Sequence, residues 1–292
     1  MKMKFSKLLY MKLYDSTENT FHWEKLDLIP EIEKLKRIPQ NEIWHKEGNA
    51  YIHTCMVTQR MLDYINKSEN VRFLDLDYRK ILVYAALLHD VGKAVTTKKD
   101  EKDGLYHCKD HAIKGVPIAE HILNTYVFDV DDTFKKSILS LVRYHMQPLY
   151  ILNKRDCKSA ILKLANNLEY IDFETLLLLK QCDCEGSIME TPDNYQEVLE
   201  KVKELYFEVC SYPAGTRVYL EKLEDADTCG YEPGNHPNGI NVGYIAAGYL
   251  GHPVTVGYRT YIGWDFSTSP VVKIIDKNHF QTMNSVYKIT EF

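Results

Sequence analysis

From about Pro30 to Tyr212, apolar residues recur at helical spacing. In "NAYIHTCMVTQRMLDYI", Ile52, Met56, Met61, Leu62 and Ile65 fall near one face, which predicts an amphipathic helix. "DYRKILVYAALLHD" is apolar nearly all round, the pattern of a central helix buried on every side. Gly92 just beyond it reads as a C-cap glycine. "HAIKGVPIAEHILNTY" has helical period but holds Gly115 and Pro117, so its start is expected to be kinked or delayed. "DDTFKKSILSLVRYHM" opens on aspartate in an N-cap position and aligns Phe134, Ile138, Leu141 and His145. "FETLLLLKQCDCEG" and "NYQEVLEKVKELYFEVCSY" complete the helical set.

The texture changes at "YPAGTR", a Pro-Gly break. Beyond it come short β-rich runs: "RVYLEKL", "VGYIAAGYL", "PVTVGYRTYIGW" and "PVVKII". The first two are separated by the turn-rich "DTCGYEPGNHPNG". The pattern therefore predicts a mainly α fold, with a helical domain over residues 1–212 and a small all-β domain over 213–292. There is no internal repeat and no low-complexity tract.

Composition narrows the class. The 292 residues are 45% hydrophobic and 26% charged, an average globular balance with ample core material. A formal net charge of −5 argues against a broadly basic nucleic-acid binder but leaves room for a local basic patch. No run of about eighteen apolar residues exists, so no membrane span is expected. The apolar stretch of "MKMKFSKLLYMKLYDSTENT" is short and interrupted by lysines, which argues against a signal peptide. Seven cysteines without a CxxC pair point to reduced thiols and a cytoplasmic setting. Cys182 and Cys184 in "CDC" read as buried thiols packing a helix, with a soft metal site as the alternative.

The candidate chemistry centres on "AALLHDVGK", a buried helix that finishes on His89 and Asp90. Burying either without a partner is costly. The dipeptide alone means little, because a chain with 11 histidines holds ~0.75 such pairs by chance. Its company matters more. His53 lies mid-helix beside Ile52, His111 opens a helix, His145 closes one, and Asp183 follows an apolar run. Each has a structural alternative: a satisfied core histidine, a first-turn surface residue, an imidazolium at a helix C-terminus, and a carboxylate paired with an arginine. Together they supply six N and O donors. Such donors suit Mn, Fe, Co, Ni, Zn or Mg, and are enough for one ion or for two bridged by a carboxylate.

The order and wording of these segments resemble the HD-domain metal-dependent phosphohydrolase superfamily. "LLHDVGK" matches its signature helix end. Over residues 28–210 the chain is similar to the HD domain of bacterial CCA-adding tRNA nucleotidyltransferases. The likeness includes an "H-x-E-G" stretch ahead of the first ligand histidine, "YHMQP" and the "DCEG" end. A Gly-His pair is usual in that family where Asp110 precedes His111 here.

The resemblance implies a helical HD bundle. His53, His89, Asp90 and Asp183 would form the core metal site, and His111 and His145 would complete a second. Asp90 would bridge, Lys93 would bind the substrate phosphate and stabilise developing charge, and Asp183 would orient the nucleophile. Lys98 and Lys99, in the lysine-rich "GKAVTTKKDEKDG", read either as contacts to a polynucleotide backbone or as a solvated loop. His45 and Glu47 would lie near the mouth of the site, and a surface role for Glu47 carries at least equal weight.

The implied substrates are phosphate esters of nucleotides or RNA ends: a 2′,3′-cyclic phosphate or a 2′- or 3′-phosphate. The alternatives are free nucleotides or cyclic dinucleotides, and a non-catalytic HD binding module. No serine or cysteine triad and no Walker A loop is present, so neither covalent hydrolysis nor kinase activity is expected. The C-terminal runs faintly resemble small SH3-like barrels, particularly phage-encoded ones. Tyr219, Tyr244, Tyr249, Tyr258 and Tyr261 there are either base-stacking groups or ordinary strand aromatics. A homo-oligomer and a partner for the β domain stay open.

Overall fold

The computed structural model describes residues 13–18, 20–67, 76–127, 131–168, 171–189, 194–209, 217–225, 245–250, 254, 260–262, 266–268, 271–274, 278–282 and 285–291. By internal packing the chain divides into two compact units. One comprises residues 1–150 with 174–200, the other 151–173 with 201–292. The expected domain boundary at 212/213 lies outside the described residues, as do Tyr244 and Tyr258.

The first unit opens with a two-stranded hairpin, β1 (Tyr14–Asp15) and β2 (Thr20–Phe21). Short helical turns follow, including α1 (Pro30–Glu33), and then α2 (Ala50–Lys67) and α3 (Leu76–Leu88). The one-turn helix α4 (Lys93–Thr96) leads into a small exposed hairpin, β3 (Lys98–Lys99) with β4 (Tyr106–His107). Then come α5 (His111–Tyr126), α6 (Asp132–Tyr144), the short α7 (Gln147–Tyr150) and, after the excursion through the second unit, α9 (Phe173–Glu185). The helix in that excursion is α8 (Cys157–Asn167).

The all-apolar segment is the hub. Ile81 through Leu88 are all buried, and α3 packs against both α2 and α6, with α5 against α6. Asp131 caps α6 as its position suggests, its carboxylate accepting from the Phe134 N–H at 2.7 Å. Phe134, Ile138, Leu141 and His145 share the buried face.

Three local expectations are corrected. On α2 the buried stripe runs through Ala50, His53, Thr54, Val57, Thr58, Met61, Leu62 and Ile65, while Ile52 is 41% exposed. Two threonines are tolerated inside, Thr58 satisfying its hydroxyl on the Thr54 carbonyl at 2.8 Å. Helix α5 starts at His111 and continues through Pro117. The carbonyl that Pro117 deprives of a partner belongs to Ile113, which is 52% exposed. Gly92 is no left-handed C-cap: its φ of −68° is ordinary helical backbone. Glycine is required there by proximity, because a Cβ would meet the His111 carbonyl oxygen and come 2.6 Å from the Gly115 nitrogen.

The second unit carries α8, the C-terminal part of α10 (Tyr195–Val209) and an antiparallel five-stranded sheet. Its order is β6 (Ile245–Tyr249), β5 (Arg217–Asp225), β11 (Ser285–Glu291), β10 (His279–Thr282) and β9 (Val271–Ile274). A separate pair joins β7 (Tyr261–Ile262) to β8 (Phe266–Ser267). Alternation puts Val218, Leu220, Phe280, Tyr287 and Ile289 into one core, with Tyr287 stacked on Phe280 at 5.5 Å. Tyr219 and Tyr249 point outward and are exposed, and the Arg217 guanidinium lies over the Tyr249 ring. Among the described residues no helix is long and apolar enough to cross a membrane.

Candidate metal centre

All six predicted donors lie in the first unit, and the fold brings them together. His53 comes from the first turn of α2 rather than from mid-helix, His89 and Asp90 from the turn after α3, and His111 from the first residue of α5. His145 caps the C-terminus of α6, and Asp183 comes from the last turn of α9. All six are buried.

Two clusters share Asp90. In the first, His53 Nε2 is 3.0 Å from Asp183 Oδ1 and 3.4 Å from both His89 Nε2 and Asp90 Oδ2. His89 Nε2 is 3.3 Å from Asp90 Oδ2 and 3.5 Å from Asp183 Oδ1. In the second, His111 Nε2 is 3.1 Å from both His145 Nε2 and Asp90 Oδ1, and His145 Nε2 is 3.8 Å from Asp90 Oδ1. One oxygen of Asp90 thus faces each pair of imidazoles.

The far side of each ring explains its aim. The Nδ1 atoms of His89, His111 and His145 donate to the carbonyl oxygens of Ala86, Cys108 and Val142 at 2.7–2.8 Å, each three residues earlier. A carbonyl only accepts, so in the neutral ring the proton sits on Nδ1 and the Nε2 lone pair faces inward. His53 Nδ1 is 3.3 Å from the Gly186 carbonyl oxygen and 3.1 Å from Glu47 Oε1.

Buried cations offset the carboxylates. Lys93 Nζ is 2.6 Å from Asp90 Oδ2 and also donates to Gln40 Oε1 at 2.6 Å. Lys180 Nζ donates to Asp183 Oδ2 at 2.6 Å. Burial alone would raise the Asp90 carboxyl, but Lys93, His89 and His111 hold it well below its ordinary range. Lys180, His53 and His89 do the same for Asp183. Burial opposes charge on His89 and His111, yet the carboxylates prevail: His89 is raised to about 9, and His111, bonded to Asp90, to about 10. His145 is pushed well down by burial and by His111 and His89.

This donor set fits a divalent cation. Inward-facing Nε2 atoms crowd one another at 3.1–3.4 Å, their outer nitrogens already engaged. Asp90 Oδ2 has no well-directed hydrogen bond despite its nearby ammonium. A cation between the donors answers both. His45, Glu47 and His53 make a further group of metal-binding composition. It cannot act as one while His53 ligates through Nε2, because the Nδ1 it would need then holds the proton.

Lys98 and Lys99 stand exposed on β3, with the Lys99 ammonium over the Tyr106 ring. Residues given little or no role by sequence prove central to the centre's surroundings. The Glu47 side chain is 1% exposed, which excludes the surface role. The sequence reading assigns no role to Gln40 or Lys180. For Lys180 a signal existed: a lysine and an aspartate three apart within an apolar run share a helix face and are best buried as a pair.

Comparison with known proteins agrees with this geometry. Residues 50–171 match the family model described as HD domain. The Multifunctional CCA protein of Actinobacillus pleuropneumoniae serotype 5b (strain L20) is 28% identical over 191 residues, 63% of this chain and 41% of that protein. Those of Shewanella frigidimarina (strain NCIMB 400) and Teredinibacter turnerae (strain ATCC 39867 / T7901) are 35% and 27% identical over 95 and 161 residues. These cover 32% and 54% of this chain and 19% and 35% of the relatives. The match thus spans less than half the length of these relatives. No solved structure matches the chain significantly.

Proposed function

We propose, from the match of residues 50–171 to the HD domain family model, that this chain is a metal-dependent phosphohydrolase acting on phosphate esters of nucleotides or RNA ends. The carrying observation is the pair of buried donor clusters joined through the two oxygens of Asp90. His53, His89, Asp90 and Asp183 would hold one divalent ion, and Asp90, His111 and His145 would hold a second where two are bound. Ions held there supply positive charge to phosphoryl oxygens and acidify water.

The protein's own groups do the rest. Backbone carbonyls keep the imidazoles turned inward, and Lys180 pins Asp183 through Oδ2 so that Oδ1 faces the His53 ring. Lys93 neutralises Asp90 and stabilises charge developing on a phosphoryl oxygen beside it. The exposed Lys98 and Lys99 favour an RNA end, with a 2′,3′-cyclic, 2′- or 3′-phosphate, over a free nucleotide. The matches to proteins named Multifunctional CCA protein support the same choice.

The test is hydrolysis after metal reconstitution. Protein stripped of metal is reloaded with Mn, Ni, Co, Fe, Zn or Mg. It is then offered bis-p-nitrophenyl phosphate, 2′,3′-cyclic AMP, 3′-AMP and an RNA ending in a cyclic phosphate, with Asp90→Ala as control. Metal-dependent turnover lost in the variant is expected, fastest on the RNA. Equal or faster turnover of the mononucleotides would shift the substrate to free nucleotides. No turnover and no bound metal would overturn the enzyme reading in favour of a binding module.

A further inference from the structure

Three of the four inward-facing imidazoles lean on main-chain carbonyls, and the fourth does not lean on one alone. Around His53 the Nδ1 hydrogen bond to the Gly186 carbonyl oxygen is joined by an anion: Glu47 Oε1 lies 3.1 Å from the same nitrogen. Glu47 is itself held from all sides. His45 Nδ1 donates to Oε1 at 2.7 Å, the Ile188 N–H donates to Oε2 at 2.9 Å, and Gln40 Nε2 reaches Oε1 at 3.4 Å. Gln40 in turn accepts from Lys93, the cation of Asp90. A carboxylate is an expensive group to bury, and this one is buried in a loop beside a histidine that offers a lone pair to the centre.

We propose that Glu47 is the positioning carboxylate of the centre, fixing the His53 ring through Nδ1 and making its Nε2 a stronger ligand. The chemistry is general. A ring nitrogen that donates to an anion carries more electron density at its other nitrogen than one that donates to a carbonyl, and such outer partners are worth about 10- to 100-fold in metal affinity. Through Gln40 the same carboxylate is linked to Lys93, so its loss loosens two of the three groups that border Asp90 Oδ2. His45 is its second anchor and touches no predicted donor except through ring contact with His53 at 4.6 Å. This inference rests on the metal-centre reading above.

The test uses the full chain and Zn2+ as probe. Glu47→Gln keeps the shape and removes the charge. Zn2+ affinity by competition with a chromophoric chelator is expected to fall about 10-fold or more, with circular dichroism unchanged. Glu47→Asp, which keeps the charge, should recover part of the loss. Wild-type protein that binds no Zn2+ would sink the metal-centre reading itself. Wild-type binding matched by a folded Glu47→Gln would sink only the role of Glu47. Should the variants fail to fold, nitrogen NMR of Zn-loaded wild type decides. The His53 Nδ1 proton should resonate downfield of those of His89, His111 and His145, which donate to carbonyls. A shift equal to theirs would assign the bond to Gly186 and overturn the proposal.

Discussion

Lys180 grips the carboxylate oxygen of Asp183 that His53 leaves free: Nζ is 2.6 Å from Oδ2, while His53 Nε2 is 3.0 Å from Oδ1. The two residues sit one helical turn apart on α9, both buried, so the pair is built before any metal arrives. Removing the cation strands a buried anion. Lys180→Met should cost the metal-free protein about 3–5 kcal/mol, read as a lowered midpoint in guanidinium chloride. Added divalent ion should restore part of it, since the ion replaces the missing positive charge. A midpoint equal to wild type would mean that Asp183 is neutralised by another group.

Metal binding should release protons. Without metal, His89 and His111 are held protonated by Asp90 and Asp183, with values of about 9 and about 10. A ligand imidazole must give up its Nε2 proton. Apparent affinity therefore rises with pH through neutrality and levels off near 9–10. Calorimetry in buffers of different ionisation enthalpy should show release at pH 7, and no release would contradict the assignment of these two rings as ligands.

The same values set the stability of the metal-free form. Raised imidazoles contribute fully below about pH 6.5, and that contribution is lost as pH rises through 9 to 10. The depressed carboxyls of Asp90 and Asp183 contribute above their ordinary value of 3.8, and that part is lost as pH falls further. His145, pushed well down, removes stability as pH falls below about 6.5, so thermal melts from pH 3 to 10.5 should peak near that pH and fall on both sides. Metal should flatten the alkaline fall, because coordination then holds the rings in place of their protons.

Gly92 joins the turn carrying Asp90 to the helix carrying His111. A Cβ at Gly92 would come within 2.6 Å of the Gly115 nitrogen and 2.9 Å of its Cα, both rigid backbone. Gly92→Ala should destabilise by about 1–3 kcal/mol. It should also weaken metal binding, because the turn and α5 must move apart between Asp90 and His111 of the second cluster. Unchanged melting and binding would show that the turn yields elsewhere.

Reversing charge on the hairpin separates the substrate readings. Lys98→Glu with Lys99→Glu should raise the KM for an RNA end and leave 2′,3′-cyclic AMP untouched, because both residues are exposed. The RNA effect should shrink at high salt. A parallel loss on the mononucleotide would place these lysines beside the phosphate itself.

Four of the six clustered residues stand at helix ends that have their own signal in the sequence, whereas His53 and Asp183 stand out only by their company. His111 opens a helix, His145 closes one behind a capped apolar face, and His89 and Asp90 end the one helix that is apolar all round. What surrounds them is less legible. Gln40 and Glu47 lie in a stretch without periodicity, where burial depends on long-range bonds such as that from Ile188. The β3–β4 hairpin is two residues per strand, too short for alternation to register. Gly92 carries the commonest glycine signal, yet its reason is a neighbour far along the chain.

The route of the chain gives the centre an order of completion. His111 and His145 are 34 residues apart, whereas His53 and Asp183 are separated by 130 and by the whole excursion through the second unit. On a ribosome the cluster of Asp90, His111 and His145 exists while α9 is still unmade, and the other waits for its last ligand. Were the proposed ions taken up during synthesis, Asp90, His111 and His145 would be the first set of donors complete, and Asp183 the last donor to arrive.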